Sequence, residues 1–476
     1  MNYLKQLFII LFIVCGLNSF AQHQEISDKP DTWKGKNQVV NNDTTSLLQA
    51  FKKGHLSGHF RYFFMATENK KNLTDYYANA IGGGIKFETA KFHHFQFGVS
   101  GFYIFNIGSS NLANLDAITN QKNRYEIALF DIENPNNKKN IDRLEELYLK
   151  YNFKKSHITL GKQLINTPFI NLQDGRMRPT EVEGVWAEIN EIKNTKIEGG
   201  FLYKVSPRST LEFYNIGESI GIYSSGVNVD GAKSNYANNL ESKGIVSFGV
   251  SNKSIKNLSL QLWNQYVENI FNTSMLQADY KKTFPNKTTI NAGLQSIFQT
   301  AINNGGNEDA SKTYINKNAK SFTIGAKIGI AKNNLGASIN YNRITKAGRY
   351  LMPREWGREA FFTFLPRERN EGLGDVNAFT LKMIYTLPKY NLKTNIGIGY
   401  FKLPSVTNYK FNKYSMPSYA QLNADIRYEF KGILEGFETQ LLYVYKWNAS
   451  KENIDPKNIF NKVNMSNVNL IINFHF

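Results

Sequence analysis

The chain has almost none of the residues that build disulfide-rich or helical membrane proteins. Cys15 is its only cysteine among 476 residues, so a disulfide framework and thiol chemistry are excluded for everything that follows it. Prolines number only 12, and no apolar run after Val14 approaches the length of a membrane-spanning helix. A bundle of transmembrane helices is therefore excluded.

The N-terminus has the pattern of a secretory signal peptide. Lys5 supplies a positive charge, an apolar run follows over residues 7–14, and small residues stand at Ser19 and Ala21. We predict cleavage after Ala21. A lipoprotein anchor at Cys15 is the alternative, although the large apolar residues before it are poor for that signal.

This boundary divides the chain into three parts: a signal peptide (1–21), a short polar periplasmic segment (22–52) and a β-barrel (53–476). The second part is too small to be a folded plug domain. In the third, aromatic residues and glycines are plentiful, since the whole chain is 14% aromatic with 35 glycines, yet its mean hydropathy is −0.41. Barrel strands alternate lipid-facing and lumen-facing residues, which gives this low average.

The C-terminus shows the alternation most clearly. Val468, Leu470, Ile472, Phe474 and Phe476 form one face, and asparagines and a histidine form most of the other. A period of two predicts a strand with one apolar face. A chain that ends on Phe after such a strand also looks like the terminal signal read by the outer-membrane barrel assembly machinery.

The same pattern recurs along the chain and predicts an all-β fold, an 18-stranded antiparallel transmembrane β-barrel. The predicted strands span 54–66, 77–89, 93–106, 143–154, 155–165, 181–192, 194–207, 243–252, 256–269, 271–283, 286–300, 320–332, 334–345, 375–387, 391–403, 418–431, 435–448 and 463–476.

Tight and long connections alternate between these strands, with one short link near residue 270 where a long one is due. Short periplasmic turns and long external loops are the topology of outer-membrane barrels. The sequence therefore predicts a protein of the outer membrane of a Gram-negative bacterium.

The net charge of +18 does not by itself predict an anion-selective pore. Lysines such as Lys281 and Lys282 gather at the predicted periplasmic turns, where they can meet anionic lipid headgroups. Inward strand positions carry nearly equal numbers of basic and acidic residues. The run Gly82-Gly83-Gly84 lies in a strand pattern without a following helix, so we predict no phosphate loop and no nucleic-acid partner.

Arginine is distributed differently from lysine, because two groups fall in predicted external loops. A guanidinium binds carboxylates through two parallel hydrogen bonds, and charged loops folded into a lumen set selectivity. The alternative is an Arg–Glu network that only holds the loops in place. The first group is Arg176 and Arg178; the second is Arg354, Arg358, Arg367 and Arg369.

Three stretches carry a family resemblance: residues 51–62, with His55-Leu56-Ser57-Gly58-His59-Phe60-Arg61-Tyr62; residues 160–181; and residues 354–377. At these stretches the chain resembles the OprD-type family of substrate-selective outer-membrane porins. The resemblance implies a barrel that is a monomer or homotrimer, with an arginine-lined constriction that passes small carboxylate-bearing solutes. Arg61 and Arg427 would be steps in the lumen, with Arg176 and Arg178 at the narrowest part. A related branch resembles chitooligosaccharide porins, so neutral sugars stay open as solutes.

Two other classes of function place their own demands on the sequence. A barrel enzyme, such as a lipase or protease, needs a nucleophile, a base and an orienting acid at one rim. No such spacing stands out, so we predict no enzyme, no cofactor and no metal; the pair His93-His94 is more typical of a solvated turn. A structural or adhesive barrel would fill its lumen with bulky side chains, whereas glycines are expected to keep this one open: Gly84, Gly98, Gly293, Gly325, Gly329, Gly397 and Gly399.

Overall fold

The computed structural model describes residues 32–33, 43–173 and 175–476. The predicted signal peptide lies outside these residues, as does Asp174. Among the described residues, no helix has the length and apolar character needed to span a membrane.

Eighteen antiparallel strands form a closed ring, in which each strand pairs with the next along the chain and the last pairs with the first. A nineteenth strand of two residues, β8, pairs only with β7. The strands are β1 His55–Glu68, β2 Tyr76–Glu88, β3 Phe95–Ser109, β4 Ile141–Phe153, β5 Ser156–Gln163, β6 Glu181–Ile189, β7 Thr195–Ser206, β8 Tyr214–Asn215, β9 Ile245–Asn252, β10 Leu258–Val267, β11 Phe271–Thr283, β12 Thr288–Ala301, β13 Lys320–Lys332, β14 Leu335–Ile344, β15 Val376–Leu387, β16 Leu392–Lys402, β17 Tyr419–Glu429, β18 Phe437–Asn448 and β19 Met465–His475.

The predicted 18-stranded barrel is confirmed, and every predicted strand lies within three residues of the observed one at both ends. The alternating pattern predicts the strands well because every strand of the ring must place apolar side chains outward and polar side chains inward. Outward side chains such as Leu294 and Ile328 are more than half exposed and form the apolar outer wall. A one-residue slip would turn that wall inward and place polar side chains in lipid.

Phe474 and Phe476 complete the seam between β19 and β1. Phe474 is the register partner of Phe60, and the Phe476 ring stacks on the Phe60 ring with centroids 6.0 Å apart. The Phe476 ring also lies directly over Gly58, where a Cβ would collide with it. The terminal aromatic thus packs where the ring closes.

Tight turns lie at one end of the barrel and long connections at the other, which places the tight turns on the periplasmic side. The short link between β10 and β11 is also present. Numbered in chain order, the external connections include loop 2 (110–140), loop 3 (164–180), loop 7 (345–375), loop 8 (403–418) and loop 9 (449–464).

The external and periplasmic halves of the lumen differ in how completely side chains and loops fill them. In the external half the inward side chains are buried together with the loops; Trp356, Phe361 and Leu365 of loop 7 pack in one apolar cluster with Trp186 and Trp263 of the wall. In the periplasmic half, inward side chains are mostly half-buried. The external loops therefore form a core inside the barrel.

The expectation that glycines keep the lumen open is wrong. A Cβ at Gly397 would lie 2.5 Å from Leu365 Cδ2, and one at Gly98 would collide with the Tyr148 ring. These glycines let a loop or a neighbouring side chain lie close against the wall. They accommodate packing and do not widen the passage.

The segment before β1 runs over the periplasmic rim. Its helix α1, Leu47–Lys52, begins at the N-cap Ser46, whose hydroxyl accepts a hydrogen bond from Gln49 N. Trp33 lies inside the barrel, edge-on to His59 at 6.4 Å between ring centroids. Part of the segment predicted to be periplasmic therefore reaches into the lumen.

Candidate functional site

Loop 7 crosses the lumen because polar side chains of the barrel wall bind its backbone. Gln299 Nε2 on β12 donates to Leu351 O at 2.7 Å, and Lys382 Nζ on β15 donates to Phe362 O at 2.7 Å. Farther round the ring, Lys446 Nζ on β18 donates to Arg367 O at 3.0 Å. Buried backbone groups need such partners, and these inward side chains supply them.

Loop 3 is fastened to loop 7. Asn171 Nδ2 donates to Arg358 O at 2.9 Å, and Asn171 Oδ1 accepts from Arg358 N at 3.1 Å. Gly357 between them has φ 140°, and a Cβ there would lie 2.5 Å from Asn171 Oδ1. Only glycine fits this position, so the close contact between the two loops depends on it.

Arg61, Arg176 and Arg178 come together beside β1. Arg61 Nε donates to Asn473 Oδ1 at 2.7 Å, and its terminal nitrogen donates to the Arg176 and Met177 carbonyls. Arg61 thus holds the backbone of loop 3, and the Arg176 side chain is itself buried.

Arg178 is enclosed on all sides. It makes a two-pronged ion pair with Glu145, with Nε to Oε1 at 2.6 Å, and a further contact to His59 Nδ1 at 3.0 Å. Its guanidinium lies between the rings of Trp33 and Phe102, at 4.6 and 4.5 Å from their centroids. Planar stacking and paired hydrogen bonds are what a guanidinium favours.

Arg358 and Arg367 are also buried. Arg358 stacks on the Phe364 ring at 4.1 Å. Arg367 donates to Asn467 Oδ1 at 2.9 Å and to Asn469 Oδ1 at 2.6 Å, which ties loop 7 to β19. Both contacts are typical of side chains that position a loop.

Arg354 and Arg369 belong to a different group, in which loops 2, 7, 8 and 9 meet. Arg354 Nε donates to Glu371 Oε1 at 2.7 Å, and the Arg369 guanidinium stacks on the Tyr414 ring at 4.1 Å. Lys462 Nζ donates to Tyr414 O at 3.0 Å. With Arg124 of loop 2, these residues form the group that we call the basic cluster: Arg124, Arg354, Arg369 and Lys462.

The charges of the basic cluster act on one another. Burial, followed by the nearby Arg124 and Arg354, lowers the pKa of Arg369 to about 9. Burial, followed by Arg124 and Arg369, lowers the pKa of Lys462 to about 7. Although burial opposes it, Glu359 and Glu371 raise the pKa of Arg354 above its ordinary value. Positive charge is therefore only partly neutralised here.

Three members of the basic cluster are only partly buried: Arg124, Arg354 and Lys462. The cluster is thus the part of the loop core that keeps cationic surface exposed.

Inward charges in the periplasmic half form ion pairs, either within one strand or between two strands that are separated by a third. Lys86 Nζ lies 2.9 Å from Glu146 Oε1, and Lys327 Nζ lies 2.9 Å from Asp279 Oδ1. Arg427 pairs with Asp425 at 2.9 Å, and a third of its side chain is exposed. The predicted near-balance of inward charge therefore takes the form of ion pairs.

The structure thus divides the eight arginines singled out from the sequence. Arg61, Arg176 and Arg178 meet at β1, Arg354 and Arg369 meet in the basic cluster, and the others lie apart. The sequence reasoning missed Arg124 and Lys462. Arg124 is the one arginine of loop 2, so it belongs to neither group of arginines in the sequence. An arginine in a loop whose other basic residues are lysines is the one local signal that could have pointed to it.

Among the described residues, no group of three or more His, Cys, Asp or Glu side chains is arranged to hold a metal ion. At the predicted turn, His94 Nδ1 lies 3.1 Å from Asp43 Oδ2. That contact fastens the segment before α1 to the turn between β2 and β3.

The model of the OprD family of outer membrane porins matches residues 98–344. No curated protein matches the chain significantly. Solved structures are similar over nearly the whole chain. OccD3 (OpdP) of Pseudomonas aeruginosa matches with TM-score 0.67 and 12% identity over 95% of this chain and 96% of that one.

Two further structures show the same likeness. OpdK of P. aeruginosa, solved with vanillate, matches with TM-score 0.68 and 12% identity over 90% of this chain and 99% of that one. OccAB4 of Acinetobacter baumannii matches with TM-score 0.68 and 15% identity over 89% and 98%. Identities this low establish a shared fold.

Proposed function

From the premise that this chain belongs to the OprD family of outer membrane porins, we propose that it passes small hydrophilic solutes bearing a carboxylate. It resides in the outer membrane of a Gram-negative bacterium, and its transport is passive diffusion without a catalytic step. Its solutes reach the constriction between the external loops and meet the basic cluster there.

One observation carries the proposal: four cations from three loops crowd together, and nearby acids neutralise them only in part. Arg124 and Arg354 keep part of their surface exposed, and their guanidinium groups match the geometry of a carboxylate. A charge at a constriction acts through its local potential, which focuses in a narrow low-dielectric passage. The vanillate in the related OpdK structure is a solute of the same chemical class.

The eight arginines named from the sequence then have three proposed roles. Arg354 and Arg369 face the solute together with Arg124 and Lys462. Arg61, Arg176, Arg178, Arg358 and Arg367 act indirectly, because they hold the loops that shape the passage. Arg427 lines the periplasmic half.

Neutralising the cluster tests the proposal. In a salt gradient across a planar bilayer, Arg124→Gln with Arg354→Gln should lower the anion-to-cation permeability ratio about fivefold, the change that roughly 1 kcal/mol of lost attraction produces. Lys281→Gln with Lys282→Gln removes the same charge at the periplasmic mouth and serves as the matched control.

An equal shift in both variants would contradict the proposal, since it would show a diffuse effect of net charge. Permeation of neutral oligosaccharides in a liposome-swelling assay, at rates matching carboxylates of similar size, would favour the sugar porin instead.

A further inference from the structure

We propose that α1 is an interfacial anchor whose apolar face enters the periplasmic leaflet of the outer membrane, where it takes phospholipid acyl chains and anionic headgroups. Three side chains form this face: Leu47, Leu48 and Phe51, which are 59, 63 and 47% exposed. At about 100° per residue they fall within one side of the helix. Large apolar side chains exposed together in this way mark a surface that something covers.

The opposite side of α1 is fixed to the barrel. Ala50 is 1% exposed, and its carbonyl accepts a hydrogen bond from Ala90 N at 3.0 Å. Just before the helix, Thr44 N donates to Lys91 O at 2.8 Å. The helix is therefore held against the turn between β2 and β3 with its apolar face turned away from the barrel.

The position of Phe51 identifies the occupant. Its ring stacks on the Phe87 ring with centroids 6.0 Å apart and planes 22° apart. Phe87 shares the outward register of β2 with Ile85, which is 58% exposed, whereas Lys86 and Glu88 point into the lumen. The apolar face of α1 therefore continues the lipid-facing wall of the barrel.

The charge at the end of α1 agrees with a lipid surface. Lys52 and Lys53 follow the apolar face directly, and both are exposed. Lysines beside a buried apolar face are typical of helices that lie in the headgroup region of anionic leaflets. If a second copy docked on the same face, the lysines of the two copies would lie close together and repel each other.

Depth measurements on spin labels test the anchor. Cys15 is the only cysteine, so a Cys15→Ser chain with Leu48→Cys carries one label site. In liposomes of phosphatidylethanolamine and phosphatidylglycerol, power-saturation EPR should show the Leu48 label several-fold more accessible to oxygen, relative to a water-soluble nickel chelate, than a label at Gln49→Cys. Gln49 is exposed on the same helix but outside the apolar face. Leu294→Cys on the outer wall gives the reference for a fully lipid-facing site.

Equal accessibility at Leu48 and Gln49 would overturn the proposal, as would dipolar broadening between Leu48 labels on separate copies. As an independent variant, Leu47→Glu should bring the Leu48 label back toward the nickel reagent. Barrel folding, read from heat-modifiable migration, and conductance should remain unchanged. A label at Leu48 that stays equally immersed in that variant would also overturn the anchor.

Discussion

The external and periplasmic halves of the lumen both pair arginines with acids, yet the pairs differ in setting. Arg178 is enclosed by Glu145, His59 and two aromatic rings, whereas Arg427 meets Asp425 with a third of its side chain exposed. Exposed pairs are screened and contribute about 0–1 kcal/mol, but removing one partner of a buried pair costs about 3–5 kcal/mol.

The difference explains why net charge is a poor guide to this pore. Charges of the periplasmic half cancel locally in ion pairs. Those of the external half either hold loops or, in the basic cluster, stay partly unbalanced. The position and burial of a cation therefore decide its effect more than the total of +18 does.

The largest expected effect comes from removing the loop core that sets the halves apart. Trp356 is fully buried, and its Nε1 donates to Ser219 Oγ at 2.9 Å. Trp356→Ala should cost about 3–5 kcal/mol of packing. Because that packing holds loop 7 across the lumen, single-channel conductance should rise. Trp447→Ala, on the outer wall, is the control, and equal conductance in both variants and the native protein would refute a constriction by loop 7.

An intermediate effect should separate the two arginine pairs. Arg178→Met leaves Glu145 buried with one fewer cation, so the free energy of unfolding should fall by about 3 kcal/mol. Arg427→Met should change it by less than about 1 kcal/mol. Urea unfolding followed by heat-modifiable migration measures both. If the two variants lose the same stability, the halves do not differ as described.

The smallest expected effect is a pH dependence of selectivity. Because the pKa of Lys462 is lowered to about 7, this lysine is charged below that pH and neutral above it. Anion preference should therefore decline modestly as the pH rises through about 7. Reversal potentials recorded from acid to alkaline pH check this, and Lys462→Met should remove the step. A step of unchanged size in that variant would assign the titration to another group.

How far the fold follows from the sequence is clear from β19. Its face from Val468 to Phe476 is apolar because lipid contacts every second residue. This requirement is local and does not depend on the rest of the chain. The loops carry no such period. Arg367 finds its partners at Asn467 and Asn469, and Asn171 finds Arg358 across 187 residues. Local patterns cannot predict contacts of that range.

The candidate site shows the same limit. Grouping arginines along the chain placed Arg354 and Arg369 in one loop, and they do lie in one cluster. It also grouped Arg358 and Arg367 with them, although these two have separate buried partners. Arg124 and Lys462 come from other loops and join only because loops 2, 7, 8 and 9 fold inward to the same place.

The sequence by itself therefore determined the ring of 18 strands, its inside and outside, and the end that carries the long loops, because a membrane imposes a period of two on every strand. Only the tertiary structure decided which loops enter the lumen, which arginines are enclosed and which stay partly exposed. Those outcomes depend on polar wall side chains that bind loop backbone across the barrel, and such partners are neighbours in space alone.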